Sequence, residues 1–174
     1  MDFKEKVRNL IDLNKLDYKF INPPILVSGM AMMYHGLRES TKDIDFIISK
    51  EDHKNLGLKF ANDAILLDGD SKSGYKEKPE FVDLYEDHGI LIYEFEIWDS
   101  IYQFDYDLLK FEAISEKDFL VISLEKLLML SFVRGLRNER YMEDAKLIGL
   151  RIEKNFYDGI KPQKNKYWSD LLKS

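Results

Sequence analysis

The sequence predicts an α+β fold, a mixed β-sheet flanked by helices with a C-terminal helical extension. Three observations lead there. Short apolar runs bounded by Pro, Gly and polar clusters alternate with helical stretches over residues 1–122. Two closely spaced apolar runs, at 111–114 and 119–123, fit an antiparallel hairpin. From Ser123 onward the apolar period becomes helical. The chain therefore divides into a core over 1–122 and a helical extension over 123–174, packed on that core as one unit.

The elements follow in order. Phe3, Val7, Leu10 and Leu13 recur at helical spacing, so residues 2–16 form an amphipathic helix. The prolines of "NPP" (22–24) end that region, since Pro lacks an N–H and restrains its predecessor. "ILV" (25–27) is a short buried strand, and residues 30–37 a helix reached through Ser28-Gly29. "RESTK" (38–42) is a polar loop and "DIDFIIS" (43–49) a strand. A helix over 51–61 and a strand over 64–67 come next. Residues 68–80, rich in Gly, Ser and charge, read as a loop. "FVDLY" (81–85) and "ILIYEFEIW" (90–98) read as strands joined by a hairpin turn at "EDHG". Ser123 is the N-cap of the first helix of the extension. The last twenty residues are polar with two aromatics, and either dock as a short helix or stay mobile.

Composition narrows the function. The chain has 174 residues, 45% hydrophobic and 33% charged, with no cysteine. A disulfide framework and thiolate metal sites are excluded, and a cytoplasmic setting is expected. A net charge of −6 argues against charge-driven binding of nucleic acid. No apolar run reaches membrane-span length, and the acid-bearing N-terminus is unlike a signal peptide.

The chemistry concentrates in "SGMAMMYHGLRESTKDIDFII" (28–48). Side chains alternate along a strand, so Asp43 and Asp45 share a face. Two close carboxylates repel and are costly to bury unless a cation sits between them. Mg²⁺ takes one or two carboxylates and fills its other sites with water and phosphate oxygens. Acid–apolar–acid triplets also occur at Glu94-Phe95-Glu96 and Asp105-Tyr106-Asp107, so the triplet by itself also fits an edge strand with solvated acids. Context adds weight. Ser28-Gly29 lies between a buried strand and a helix, where free N–H groups attract phosphate and Gly lets the backbone come close. An anion site followed by a cation site is what a metal–nucleoside triphosphate needs. A third acid would complete a two-metal centre. Glu96 is favoured, with Glu94 and Asp83 as alternatives.

These residues resemble the nucleotidyltransferase superfamily, the polymerase-β-like fold. Within it, the chain is similar to small prokaryotic nucleotidyltransferase-like proteins, including those of abortive-infection toxin systems. The likeness runs from about residue 24 to residue 148 and is firmest over 26–48. It implies that Ser28 and Gly29 hold the triphosphate. It makes Asp43 and Asp45 the metal-binding pair, for two Mg²⁺ ions, and Glu96 the third carboxylate that helps activate the acceptor. Arg137, Arg140 and Asp144 match the family's helical module. The sequence departs from the pattern at Met30, at Arg38 (five residues before Asp43), at Tyr141, and at Ser131, where the family often has a triphosphate-binding Lys. Lys126 lies about a turn from Ser131.

The implied activity is transfer of a nucleoside monophosphate from an NTP to a hydroxyl on a small molecule, protein or RNA, with release of pyrophosphate. The alternative is a non-catalytic nucleotide-binding protein of the same fold, or a toxin–antitoxin partner. Arg38, Thr41 and Lys42 are candidate phosphate contacts. Arg134, Arg137 and Arg140, at i, i+3 spacing, form either a phosphate stripe or ion pairs with Glu139, Glu143 and Asp144. His35, His53 and His88 lack zinc spacing. Tyr34 and Trp98 fall near the site, placed either to stack on a base or to pack in the core, with the core favoured.

Overall fold

The computed structural model describes residues 2–68, 88–102 and 104–171. The N-terminal helix α1 (Phe3–Leu10) is shorter than its apolar spacing suggests. It ends at Ile11, and a 3-10 turn over Leu13–Leu16 follows, with the Asp12 carboxylate accepting from the Asn14 N–H. Behind the prolines, β1 (Ile25–Leu26) is buried at both residues. Then come α2 (Ser28–Tyr34), β2 (Ile44–Ile47), α3 (Lys50–Lys59) and β3 (Ile65–Asp68). Ser49 caps α3 by accepting from the Asp52 N–H.

The next region departs from expectation. Residues 90–98 are not one strand. They divide into β4 (His88–Ile92) and β5 (Phe95–Trp98), paired antiparallel around a turn at Tyr93-Glu94. Tyr93 supplies the positive φ, 55°, that such turns usually take from Gly or Asn. The expected strand 81–85 and loop 68–80 lie almost wholly outside the described residues, as does Asp83. A small ribbon of β6 (Ser100–Ile101) and β7 (Phe104–Asp105) leads into α4 (Tyr106–Lys110). The triplet Asp105-Tyr106-Asp107 is thus a helix start, with Asp105 accepting from the Leu108 N–H. The expected second hairpin forms as β8 (Ile114–Ser115) with β9 (Leu120–Val121).

These strands form a mixed seven-stranded sheet in the order β3-β4-β5-β2-β1-β9-β8. The β2–β5 and β1–β9 pairs are parallel and the others antiparallel. One face is core: Leu26, Phe46, Ile97 and Ile90 stand in a row across four strands and are buried. Phe119 meets Phe46 edge-on.

The extension is α5 (Leu124–Gly135), capped by Ser123, and the long α6 (Glu139–Leu171). The last residues continue α6 as far as Leu171 rather than docking as a separate helix. Leu127 and Leu130 of α5 and Ile148 of α6 are buried in the common core. Arg151 ties α6 down by donating to the carbonyls of His35 and Gly36 at the end of α2. The molecule is therefore α+β, with six helices among the described residues and a helical C-terminal region.

Candidate active site

The strand register builds the site. Asp45 pairs directly with Glu96 across β2 and β5, so their side chains leave the sheet on one face, next to each other. Asp43 precedes β2 by one residue and shares that face. All three line a cleft of about 1030 Å³ between the sheet and the α5–α6 pair.

The carboxylates strain one another's charge. Asp45 is half-buried, and its acid is pushed up to about 7. Removal from water is the largest cause. Arg134 pulls the other way, while the charges of Glu96 and Asp43 and a hydrogen bond with Glu96 reinforce the rise. A hydrogen bond between two carboxyl groups needs a proton, and the raised Asp45 acid can hold it near neutral pH.

The other acids of the sequence go elsewhere. Glu94 sits in the β4–β5 turn and pairs with Lys15, which holds its acid below the usual range. Glu96, and not Glu94, is the acid beside Asp45. One residue separates the two in sequence, and the intervening turn sends them to different places.

Ser28 opens α2 with φ 53°, a left-handed conformation that serine seldom takes. Such strain persists where the surroundings hold it. Here the Arg134 Nη1 donates to Ser28 Oγ at 3.0 Å. At Gly29 an added Cβ would stand 2.7 Å from Thr41 Oγ1 and 3.1 Å from an Arg38 guanidinium nitrogen, so the 38–42 loop closes onto the bare glycine. Ser28, Gly29, Arg38, Thr41 and Lys42 all line the cleft. Arg38 also donates from Nη2 to Asp144 Oδ1 at 2.8 Å, which fixes its guanidinium at the cleft wall.

The arginine stripe is not one helix face. Arg134 lies on α5, Arg137 in the turn between helices and Arg140 on α6. Gly135 ends the first helix, and the Asn138 side chain accepts from the Arg140 N–H at the start of the second. Arg140 lines the cleft. Arg137 does not appear in its wall. Its guanidinium stacks 4.0 Å from the centre of the Tyr102 ring, and its Nη1 is buried without a hydrogen-bond partner among the described residues.

Sequence reasoning left Asn138 and Tyr102 unassigned and weighed Arg134 only as part of a stripe. Arg134 reaches the cleft, stacked 4.1 Å from the Tyr141 ring centre, with Nη2 donating to the Tyr141 hydroxyl at 3.0 Å. Ser131, Asn138, Tyr141, Trp98 and Tyr102 also line it. The local signals for Arg134 were its spacing with Arg137 and Arg140 and its position three residues after Ser131 on the same helix. Lys126 is turned away and lies over the Phe111 ring. Tyr34 is buried and bonded to Glu116, outside the cleft wall.

No family model, curated protein or solved structure matches the chain. Among the described residues no helix is long and apolar enough to cross a membrane.

Proposed function

We propose that the chain is a Mg²⁺-dependent nucleotidyltransferase, moving a nucleoside monophosphate from an NTP to a hydroxyl and releasing pyrophosphate. One observation carries the reading: Asp45 and Glu96 stand in register with Asp43 beside them, in a cleft that also holds Arg134, Arg140 and Lys42. The cleft volume, about 1030 Å³, suits a nucleotide with room for an acceptor.

The donor set fits the metal. Its oxygens are hard ligands, and mutual repulsion among the three acids is what a divalent cation relieves. Among the described residues no three Asp, Glu or His side chains stand close enough together to hold a metal ion by themselves. Mg²⁺ seldom needs such a set, since phosphate and water complete its shell. Asp43, Asp45 and Glu96 would hold the ions, which supply charge neutralisation at the transferred group.

The chain's own residues do the rest. Arg134 and Lys42 attract the triphosphate, with Arg134 providing from α5 the cation that Ser131 does not. Gly29 lets the backbone come close, and Ser28 offers its hydroxyl. Glu96 takes the proton of the acceptor hydroxyl. A second reading, a non-catalytic nucleotide-binding or partner protein, is favoured by the pairing of Arg38 with Asp144 and of Arg134 with Ser28 and Tyr141. In that reading the cations are already engaged.

Thermal unfolding with each NTP, with and without Mg²⁺, tests the site. A ligand at about 100 times its Kd adds about 2.7 kcal/mol. For a chain of this size that raises the midpoint by roughly 5–10 °C. The rise should require Mg²⁺ and vanish in Asp43→Asn/Asp45→Asn. A rise that survives the double substitution would refute the assignment. NTP binding without transfer to any acceptor would favour the second reading.

A further inference from the structure

We propose that Tyr141 is a phosphate-binding residue. It holds Arg134 in place and donates its own hydroxyl beside it, to the phosphates beyond the first of a bound triphosphate. The inference rests on the transferase reading of the cleft.

Local structure brings the two residues together. Arg134 is the last residue but one of α5, and Tyr141 is the third of α6. Gly135 lets the helices close on each other. A Cβ added there would stand 2.9 Å from the Met142 backbone nitrogen, so α6 begins directly against the end of α5. The Tyr141 ring is thereby laid on Arg134, whose Cζ is 4.1 Å from the ring centre. Arg134 Nη2 donates to the Tyr141 hydroxyl at 3.0 Å, and Nη1 donates to Ser28 Oγ at 3.0 Å. One end of the guanidinium is thus fixed to α6 and the other to the turn that opens α2. All three residues line the cleft.

The polarity of these bonds decides what the group can take. A guanidinium only donates, so both hydroxyl oxygens accept from it. Each hydroxyl keeps its own proton for another acceptor. Neither donates to another group among the described residues. The charge is also unspent. Arg38 is paired with the Asp144 carboxylate, whereas Arg134 forms no ion pair among the described residues. A carboxylate at position 141 would hold Arg134 as firmly but cancel its charge. A phenol holds it and leaves the charge for a ligand. The wall therefore offers one fixed cation flanked by two O–H donors. Its complement is an anion with several oxygens, a phosphoryl group.

In the transferase reading the first phosphoryl group stands over Asp43, Asp45 and Glu96. Ser28, Arg134 and Tyr141 come from α2 and the α5–α6 hairpin, and meet the phosphates farther along the chain. A triphosphate has one end on each set. A monophosphate engages only the carboxylate set, through its metal.

The test titrates three probes, each with Mg²⁺, into the whole chain by calorimetry. They are the NTP that gives the thermal rise, its NMP, and inorganic tripolyphosphate. Tyr141→Phe keeps the ring on Arg134 and removes only the hydroxyl. It should weaken NTP and tripolyphosphate binding by about tenfold and leave the NMP unchanged. Ser28→Gly removes the other hydroxyl at a φ of 53° that glycine takes without strain, and should give the same pattern. Tyr141→Leu, which also removes the stack, should cost the NTP more than Tyr141→Phe does. Unchanged affinities in Tyr141→Phe, or an equal loss for NTP and NMP, would overturn the inference. Tripolyphosphate carries no nucleoside, so it separates the two readings. If it binds and loses affinity in Tyr141→Phe while no NTP binds, Tyr141 keeps its role and the transferase reading falls. A wild-type chain that binds neither overturns both.

Discussion

Replacing Asp45 by Asn should stabilise the metal-free protein at alkaline pH and leave it nearly unchanged at pH below the acid's unfolded value. Folding raises this acid from the ordinary 3.8 to about 7, through burial and the neighbouring charges of Glu96 and Asp43. The sign follows from linkage: between those values the folded state holds a proton that the unfolded state has released. Stability is therefore full below the unfolded value and is lost as pH rises through the folded one. The slope is about 1.4 kcal/mol per pH unit, and the total loss approaches about 4 kcal/mol by pH 8. Asn cannot ionise, and its amide can donate to Glu96 as the protonated acid does. Urea unfolding in EDTA, from about pH 5 to about pH 8, measures the difference between the two proteins. The variant should exceed wild type by about 1.5 kcal/mol at about pH 5 and by about 4 kcal/mol at about pH 8, the two converging only below the unfolded value. Equal stabilities throughout, or a variant weaker at about pH 8, would refute the claim that the cleft opposes this charge.

Two further substitutions test the scaffold. The fully buried Asp52 accepts from the Tyr18 hydroxyl, the Ser49 hydroxyl and the N–H groups of Ile21 and Asn22. Asp52→Ala strands these donors and should lower urea stability by about 3 kcal/mol, with no change in the thermal rise that Mg²⁺–NTP produces. Gly89→Ala forces a methyl into the Trp98 ring, at 2.4 Å. It should cost about 2 kcal/mol and red-shift tryptophan emission as the ring is pushed toward solvent, while an unshifted spectrum would show that the ring does not rest on the glycine.

The parts legible from sequence alone were those with a local cause. A period of two puts Asp43 and Asp45 on one face whatever the rest of the chain does. A serine before a helical run caps it, as Ser49 and Ser123 do. A switch from strand-like to helical spacing marks the extension at Ser123, and closely spaced apolar runs form the β8–β9 hairpin. Where a local rule was broken, the reading failed. Tyr93 takes a turn conformation without being Gly or Asn, so one strand was expected where a hairpin stands. Gly135 and Asn138 interrupt an arginine spacing that looked like one face.

Tertiary structure alone decided which distant groups share the cleft. Glu94 and Glu96 have the same spacing, the same chemistry and equally apolar neighbours. Only the pairing of β5 with β2 puts Glu96 beside Asp45, while the turn gives Glu94 to Lys15. Only helix packing brings Arg134 to Ser28, 106 residues away in the chain. The physical reason is that side-chain direction is set within a few residues by backbone geometry. Strand register and helix docking are set by burying two faces at once, and that constraint is carried by the whole core.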